Sequence, residues 1–564
     1  MENEFDAIVI GSGISGGWAA KELCEQGLKT LVLERGRNIE HNKDYPTANM
    51  QTWEFAHRGQ MTRDFVEENP LITKAAGYGE DTAHFFVKDT DHPYQQERPF
   101  DWIRGYQVGG KSLTWGRACQ RWSNYEFKAP AKYGYGIDWP IDYNEIAPWY
   151  SHVEKFIGVC GNRDGIEAMP DGEFLPPYDL NCVEQHMKDT LLKEYGNRHL
   201  VQGRWAHLSE PTETHLEQGR GKCQCRNLCM RGCPYGGYFS SVTSTLPWAE
   251  KTGNLTVRPY SVVHSIIYDE KTQKASGVKV IDTNTKEEII FKARIIFVNA
   301  SALNTNLILL NSKSNRFPNG LGNDNGLMGK FVGFHIYRGW SGGKIAGFED
   351  KYIYGKNPVE CIIANYRNLR ENEDTDFKGG YTIFTGAYRN RREELPDNQP
   401  QIGADFKHGL SEPGDWRIYM YMQGETMPKA TNRVYLSETE KDQWGIPLLV
   451  TDVGYDENDD KMVADFLKES RDMLEKIGCT EITAHDNKQA PGLDIHEMGG
   501  IRMGDNKNES LLNAHNQLHE CKNVFVTDGA CMTSTGNQSP SILYMALTAR
   551  AATYAVEQFK KGIL

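Results

Sequence analysis

Two groups of residues in this chain have types and spacings that could do chemistry. Four cysteines fall close together at Cys223, Cys225, Cys229 and Cys233, with Pro234 directly after the last. Soft thiolates at this density in a loop rich in glycine and arginine suit a metal centre, either zinc or iron–sulfur. A Cys-Pro ending also occurs in iron–sulfur motifs. Zinc needs four ligands and reaches them only by using Cys225; free or redox-labile thiols are the third reading. The second group is His496 with Gly499-Gly500 behind it. A histidine titrates near neutral pH and can take the proton of a hydroxyl group as the carbon beneath it is oxidised. The glycine pair would let a flat ring system come close.

An oxidation of that kind needs an electron acceptor, and the first forty residues describe a place to hold one. Phe5–Ile10 is an apolar run fitting a parallel strand buried on both faces. Gly11-Ser12-Gly13-Ile14-Ser15-Gly16 follows, then a helix from Trp18 to Gln26, then a second strand over Lys29–Leu33 that ends at Glu34. In this order Gly11 permits a tight turn, Gly13 lets a pyrophosphate approach, and Gly16 lets helix pack on strand. The helix N-terminus offers free N–H groups to phosphate, and Glu34 is placed to accept from a ribose diol. The unit alone does not separate FAD from NAD. Near the other end, Asn523–Asp528 reads as a strand closing on an acid and Gly529, and a long helix runs from about Ser541 to Phe559.

Six motifs in order resemble the glucose–methanol–choline flavoprotein oxidoreductases, particularly the branch of pyranose oxidases, gluconate dehydrogenases and glucoside 3-dehydrogenases. They are Gly11–Gly16 with Glu34; Gly109-Gly110-Lys111-Ser112-Leu113-Thr114-Trp115-Gly116; Trp139-Pro140 with Pro148-Trp149-Tyr150; Asn299–Thr305; His496–Gly504; and Thr527-Asp528-Gly529. The resemblance implies FAD as cofactor. It also implies an α/β FAD-binding Rossmann-like domain, discontinuous over 1–45, 100–125, 220–335 and 490–564. An α+β substrate domain with an antiparallel sheet would take 46–99, 126–219 and 336–489. The alternation in Trp416-Arg417-Ile418-Tyr419-Met420-Tyr421-Met422 suits such a sheet with one polar face.

The cofactor-binding set implied is Gly11, Gly13, Ser15, Gly16, Glu34, Arg35, Gly109, Gly110, Ser112, Thr114, Val263, Asp528 and Gly529. Pyranose oxidases carry a flavin-linked histidine at the position of Thr114; threonine cannot form that link, so FAD is expected to be non-covalent. His496 occupies the position of the family's catalytic base. Relatives place Asn or His before the Pro that opens the last helix, where this chain has Ser539, with Asn537 two residues earlier as a substitute. Asn537 could equally do no more than cap its turn. Cys223, Cys229 and Cys233 are spaced like the ligands of a [3Fe–4S] cluster in related glucose dehydrogenases; with Cys225 as a fourth ligand the alternative is [4Fe–4S].

The composition is compatible with this picture. The charged and apolar fractions, 25% and 39%, describe a globular chain, and a net charge of −13 has the wrong sign for gripping a nucleic-acid backbone. No apolar run is long enough to span a membrane, so the chain is not expected to be an integral membrane protein. Met1–Glu4 has no basic or apolar leader. The expectation is a cytoplasmic chain, or a periplasmic one exported with a partner. The expected activity is FAD-dependent oxidation of a pyranose or glucoside C3 hydroxyl. Electrons would leave through the cysteine cluster to a small subunit and a cytochrome-type acceptor. An oxygen-using pyranose or glycoside 3-oxidase, a gluconate or polyol dehydrogenase, and a flavin-binding subunit without alcohol chemistry are the alternatives.

Overall fold

A computed structural model describes residues 3–352, 358–369, 375–391 and 402–564. Its first sheet is built around strand Glu4–Ile10, which pairs in parallel with Thr30–Leu33 on one side and Glu288–Val298 on the other. Leu255–Arg258 and Val524–Val526 extend the parallel set outward. Ser261–Asp269 and Lys274–Asp282 form an antiparallel meander with the first half of Glu288–Val298. Ala7–Ile10 and Thr30–Leu33 are wholly buried, as near-continuous apolar runs in a parallel sheet must be.

The register puts Ile10 beside Leu33 and Val298, so all three strands stop at the same edge. Gly11, Glu34 and Asn299 therefore emerge side by side, and Thr527 joins them after Val526. A ligand crevice at the carboxyl edge of a parallel sheet follows from that topology. Helix Ile14–Glu25 packs on helices Thr245–Glu250 and Ser541–Lys560. It begins four residues before the start expected at Trp18. Gly16 and Gly17 are poor helix formers, but Gly16 packs so closely on Gly11 that tertiary contact overrides propensity.

The second sheet is antiparallel, in the order Thr480–Asp486, Gly339–Ile345, Pro413–Glu425, Tyr381–Arg391, Cys361–Ile363 and Leu200–Gln202. Trp416, Ile418, Met420 and Met422 point to one side, into a core shared with helices Cys182–Tyr195 and Glu457–Ile477. The residues between them face the other way, the two-residue period a half-covered sheet requires. A third, smaller sheet joins Met498–Gly500, Lys330–Gly333, Arg433–Lys441, Pro447–Asp452 and Gln95–Gln96. Its pairing of Met498 with Gly333 ties the segment after His496 to the chain just before His335. No helix among the described residues is long and apolar enough to cross a membrane.

Candidate active site

A cavity of about 530 Å³ opens at the carboxyl edge of the first sheet. The three glycines of the opening motif meet it in three ways. Gly11 has φ +95°, and a Cβ there would lie 2.3 Å from the Asn299 carbonyl oxygen. A Cβ on Gly16 would lie 1.8 Å from the Gly11 carbonyl oxygen, so helix and strand touch through it. A Cβ on Gly13 would meet no protein atom within 4 Å, since Gly13 faces the cavity. The helix starting at Ile14 has no side-chain cap and no acid in its first turn. Its leading N–H groups and the positive end of its dipole are left for an anion.

Glu34 and Arg35 line the same cavity. The Ser12 hydroxyl donates to Glu34 Oε2 at 2.6 Å and the Gly36 N–H donates to Oε1 at 3.0 Å. Burial still pushes the Glu34 carboxyl above its ordinary pKa. Arg35 stacks on Tyr106, 4.0 Å from the ring centre. The Gly109 N–H donates to Ser12 Oγ at 2.9 Å, which docks the second glycine segment on the first. Gly109 has φ +90° and packs behind the wall, while Gly110, Ser112 and Thr114 line it. Ser15, Val263, Asp528 and Gly529 line it too; Gly16 lies beneath. Asp528 accepts from the Thr305 hydroxyl at 2.6 Å and from the Ala530 N–H at 3.0 Å, and burial raises its pKa to about 6.

The cradle suits a dinucleotide such as FAD. It has an uncapped helix end, an open glycine facing it and an acid beside the second strand. Several buried polar atoms on the lining also have no protein partner: Asn299 Nδ2, Glu497 Oε1, Asp494 Oδ1 and Tyr544 Oη. Buried atoms of this kind are costly unless something pairs with them.

His496 lines the cavity on a loop that Ile495 enters with φ +64°, a strained conformation for a β-branched residue. Its Nδ1 lies 2.9 Å from Nδ1 of His335, which is fully buried. Nε2 of His496 has no hydrogen-bond partner among the described residues. Burial, with His335 and Lys111 adding to it, holds the His496 pKa well below the usual histidine value, so the ring is a neutral base. Lys111, from the second glycine segment, donates to Glu497 at 3.0 Å and pins the base loop across the cavity. Asp494 accepts from the His335 N–H at 2.7 Å, and burial lifts its pKa to about 7.

The two candidates for the second catalytic position part company. Ser539 lines the main cavity with His496. Asn537 borders a separate, small cavity with Glu126 and Glu425. Its Oδ1 accepts from the Thr382 hydroxyl at 2.7 Å and its Nδ2 donates to Glu126 at 3.3 Å. The opposite wall of the main cavity comes from the second sheet, with Trp340, Phe384, Tyr421 and Gln423 facing in. Tyr421 stacks on Trp340 at 4.8 Å and on Phe384 at 5.2 Å between ring centres. Glu360 sits beside this row and accepts from the Tyr419 and Tyr421 hydroxyls at 2.8 and 2.9 Å. Sequence reasoning found none of these wall residues individually, nor His335 or Asp494.

Cys223, Cys225, Cys229 and Cys233 are half-buried free thiols on one irregular loop. Cys225 and Asn227 have positive φ, and the Gly237 N–H donates to Cys233 Sγ at 3.4 Å. No three of the four sulfurs lie within 4.8 Å of one another, as one ion would hold them. Met230, between Cys229 and Arg231, reaches the main cavity and lines it.

Comparison with known proteins agrees with the fold. Two family models, both described as GMC oxidoreductase, match residues 5–325 and 428–548. Fructose dehydrogenase large subunit from Gluconobacter japonicus is 25% identical, aligned over the full length of both chains. Paromamine 6'-oxidase from Streptomyces fradiae is 25% identical, over 97% of this chain and 90% of its own length. Among solved structures, pyridoxine 4-oxidase from Mesorbium loti superposes with a TM-score of 0.59 at 15% identity, covering 98% of this chain and 99% of that one. The chain belongs to the GMC oxidoreductases, a family that binds FAD and acts on CH–OH groups.

Proposed function

We propose that this chain is a dehydrogenase that oxidises a secondary hydroxyl of a sugar or glycoside, the C3 hydroxyl of a pyranose being the expected position. The observation that carries the reading is the neutral His496 in the same cavity as the phosphate cradle, faced by an aromatic wall. When bound, FAD supplies a two-electron acceptor. The protein does the rest. Nε2 of His496 takes the hydroxyl proton, Ser539 is within the same lining to orient the hydroxyl, and the stacked row of Trp340, Tyr421 and Phe384 gives the carbon skeleton of a sugar an aromatic wall. Thr114 lines the cavity and cannot bond to a flavin ring, so the cofactor is held without a covalent link. The choice of C3 rests on the resemblance to glucoside 3-dehydrogenases.

The same reading gives the cysteine loop the role of electron exit. Cys223, Cys229 and Cys233 would hold a [3Fe–4S] cluster, with Cys225 available as a fourth ligand. Two features support this. Met230 brings the loop to the cavity wall, and a backbone N–H points at Cys233 sulfur as N–H groups do around iron–sulfur centres. A relative named as a large subunit favours a partner subunit for this chain as well; the small subunit and cytochrome-type acceptor rest on the family resemblance.

The test is an anaerobic absorption and EPR spectrum before and after methyl glucoside, on wild type and His496→Ala. Flavin bleaching in wild type, an oxidised three-iron signal, and a variant that keeps FAD but is not bleached are expected. Flavin without iron would remove the cluster and turn attention to oxygen as acceptor. Bleaching in the variant at the wild-type rate would remove His496 from the chemistry.

A further inference from the structure

Family relatives place the second catalytic side chain just before the last helix, where this chain has serine. The structure brings a different side chain to the base. His335 opens the short strand His335–Ile336, separated by one residue from strand Lys330–Gly333. Met498 pairs with Gly333, and two residues beyond each of them His496 and His335 come into contact. The rings meet edge to face, 5.0 Å between centres, with the two Nδ1 atoms 2.9 Å apart. His335 is fully buried and is not part of the cavity lining, so it reaches the reaction only through His496.

The protons in this pair can be assigned. His335 Nε2 lies 3.2 Å from the Thr535 carbonyl oxygen, which can only accept. That nitrogen therefore carries the His335 proton. Burial holds the His335 pKa at about 4, so the ring is neutral and its Nδ1 is a bare acceptor. The short contact to His496 must then be donated from the other side, by His496 Nδ1–H. A neutral imidazole with its proton on Nδ1 has its lone pair on Nε2, the nitrogen without a protein partner. We infer that His335 is a positioning residue that fixes His496 in the tautomer with Nε2 free to act as base.

The charge change of the reaction strengthens this arrangement. As Nε2 takes the hydroxyl proton, His496 becomes an imidazolium and its Nδ1–H···Nδ1 bond becomes charge-assisted. Thr535 anchors the chain at both ends of this device: its carbonyl fixes the His335 tautomer, and its hydroxyl accepts from the Thr426 N–H at 3.0 Å. The inference rests on His496 being the base of the proposed alcohol oxidation.

The test uses the FAD-loaded protein with two substitutions. His335→Phe keeps the ring volume and removes the acceptor; His335→Asn keeps an acceptor oxygen near the position of Nδ1. In anaerobic stopped-flow with methyl glucoside, H335F should lower the limiting rate of flavin reduction about 100-fold, the low end of what a positioned base contributes. The substrate concentration giving half that rate should stay within about twofold, and H335N should recover most of the loss. Nitrogen NMR of histidine-labelled wild type, with His496 assigned by its absence in H496A, should show a protonated Nδ1 and a bare Nε2. H335F should mix the two tautomers. A wild-type His496 protonated at Nε2, or equal losses in H335F and H335N, overturns the inference. If no alcohol reduces the wild-type flavin, the functional reading fails, and the NMR experiment still decides the tautomer.

Discussion

Replacing Gly13 and Gly16 one at a time separates the binding role of the opening motif from its packing role. A methyl group on Gly13 meets no protein atom within 4 Å, and the residue has an extended backbone that alanine adopts freely. Two effects on the empty protein then oppose each other. Alanine restricts the unfolded chain and stabilises by about 0.4–1 kcal/mol. It is also a worse N-cap than glycine by a similar amount. The fold should therefore change by less than about 1 kcal/mol. The open space is where a pyrophosphate would lie, and a methyl group placed there costs about 1–3 kcal/mol of overpacking. At 1.4 kcal/mol per tenfold, FAD affinity should fall about 5- to 150-fold. Gly16 behaves oppositely. Its methyl would sit 1.8 Å from a backbone carbonyl oxygen that the parallel sheet holds in place. Gly16→Ala should lose about 3 kcal/mol or more of stability before any cofactor is added. Fluorescence titration of deflavinated protein with FAD, beside thermal melts of the same samples, reads both quantities. Unchanged FAD affinity in Gly13→Ala, or an empty G13A protein that melts as early as G16A, would refute the assignment of the cradle.

Three further predictions concern the small second cavity and the end of the last loop. Burial, with Glu126 adding to it, lifts the Glu425 pKa from an ordinary 4.5 to about 8. The native state then holds a proton that the unfolded chain has already lost, so this group's stabilisation is complete below pH 4.5 and is lost as pH rises to about 8. Glu425→Gln keeps an acceptor for the Gly380 N–H. It should match wild type at pH 4 and exceed it by a few kcal/mol at pH 8.5 in chemical denaturation; parallel stability curves would contradict the burial argument. Asn537→Ala should destabilise by about 1–3 kcal/mol, because it leaves Thr382 and Glu126 short of partners, yet keep the rate of flavin reduction. Ser539→Ala should leave the melting temperature alone and slow reduction about 2- to 10-fold, the value of one hydrogen bond. Rapid-reaction kinetics beside melts of the two variants would show it, and the reverse pattern would return the second position to Asn537.

The parts of this protein that can be read from sequence are those whose causes are local. Strand, glycines, helix, strand and Glu34 occupy thirty consecutive residues, and each glycine does a job visible in the spacing. The alternation through Trp416–Met422 announced a half-covered sheet for the same reason. His335 could not be found this way. It is 161 residues from His496 and carries no local pattern; only the folding of two distant segments onto each other makes them neighbours. Asp494 and the aromatic wall are hidden by the same distance. Asn537 and Ser539 lie two residues apart, so spacing treats them alike. Their side chains nevertheless lead to different cavities, because Asn537 is claimed by Thr382 and Glu126.

Strand Pro413–Glu425 has a consequence for how such an enzyme can change. Even-numbered positions Ile418, Met420 and Met422 belong to the packed interior beneath the helices. Odd-numbered positions do different work: Tyr421 and Gln423 meet whatever occupies the large cavity, and Tyr419 holds Glu360. Selectivity and structural integrity are thus written on alternate letters of one segment. Drift at the odd letters can retune which alcohol is accepted while the even letters go on holding the sheet to its helices. A scaffold with this division can diverge in taste without first passing through an unfolded ancestor.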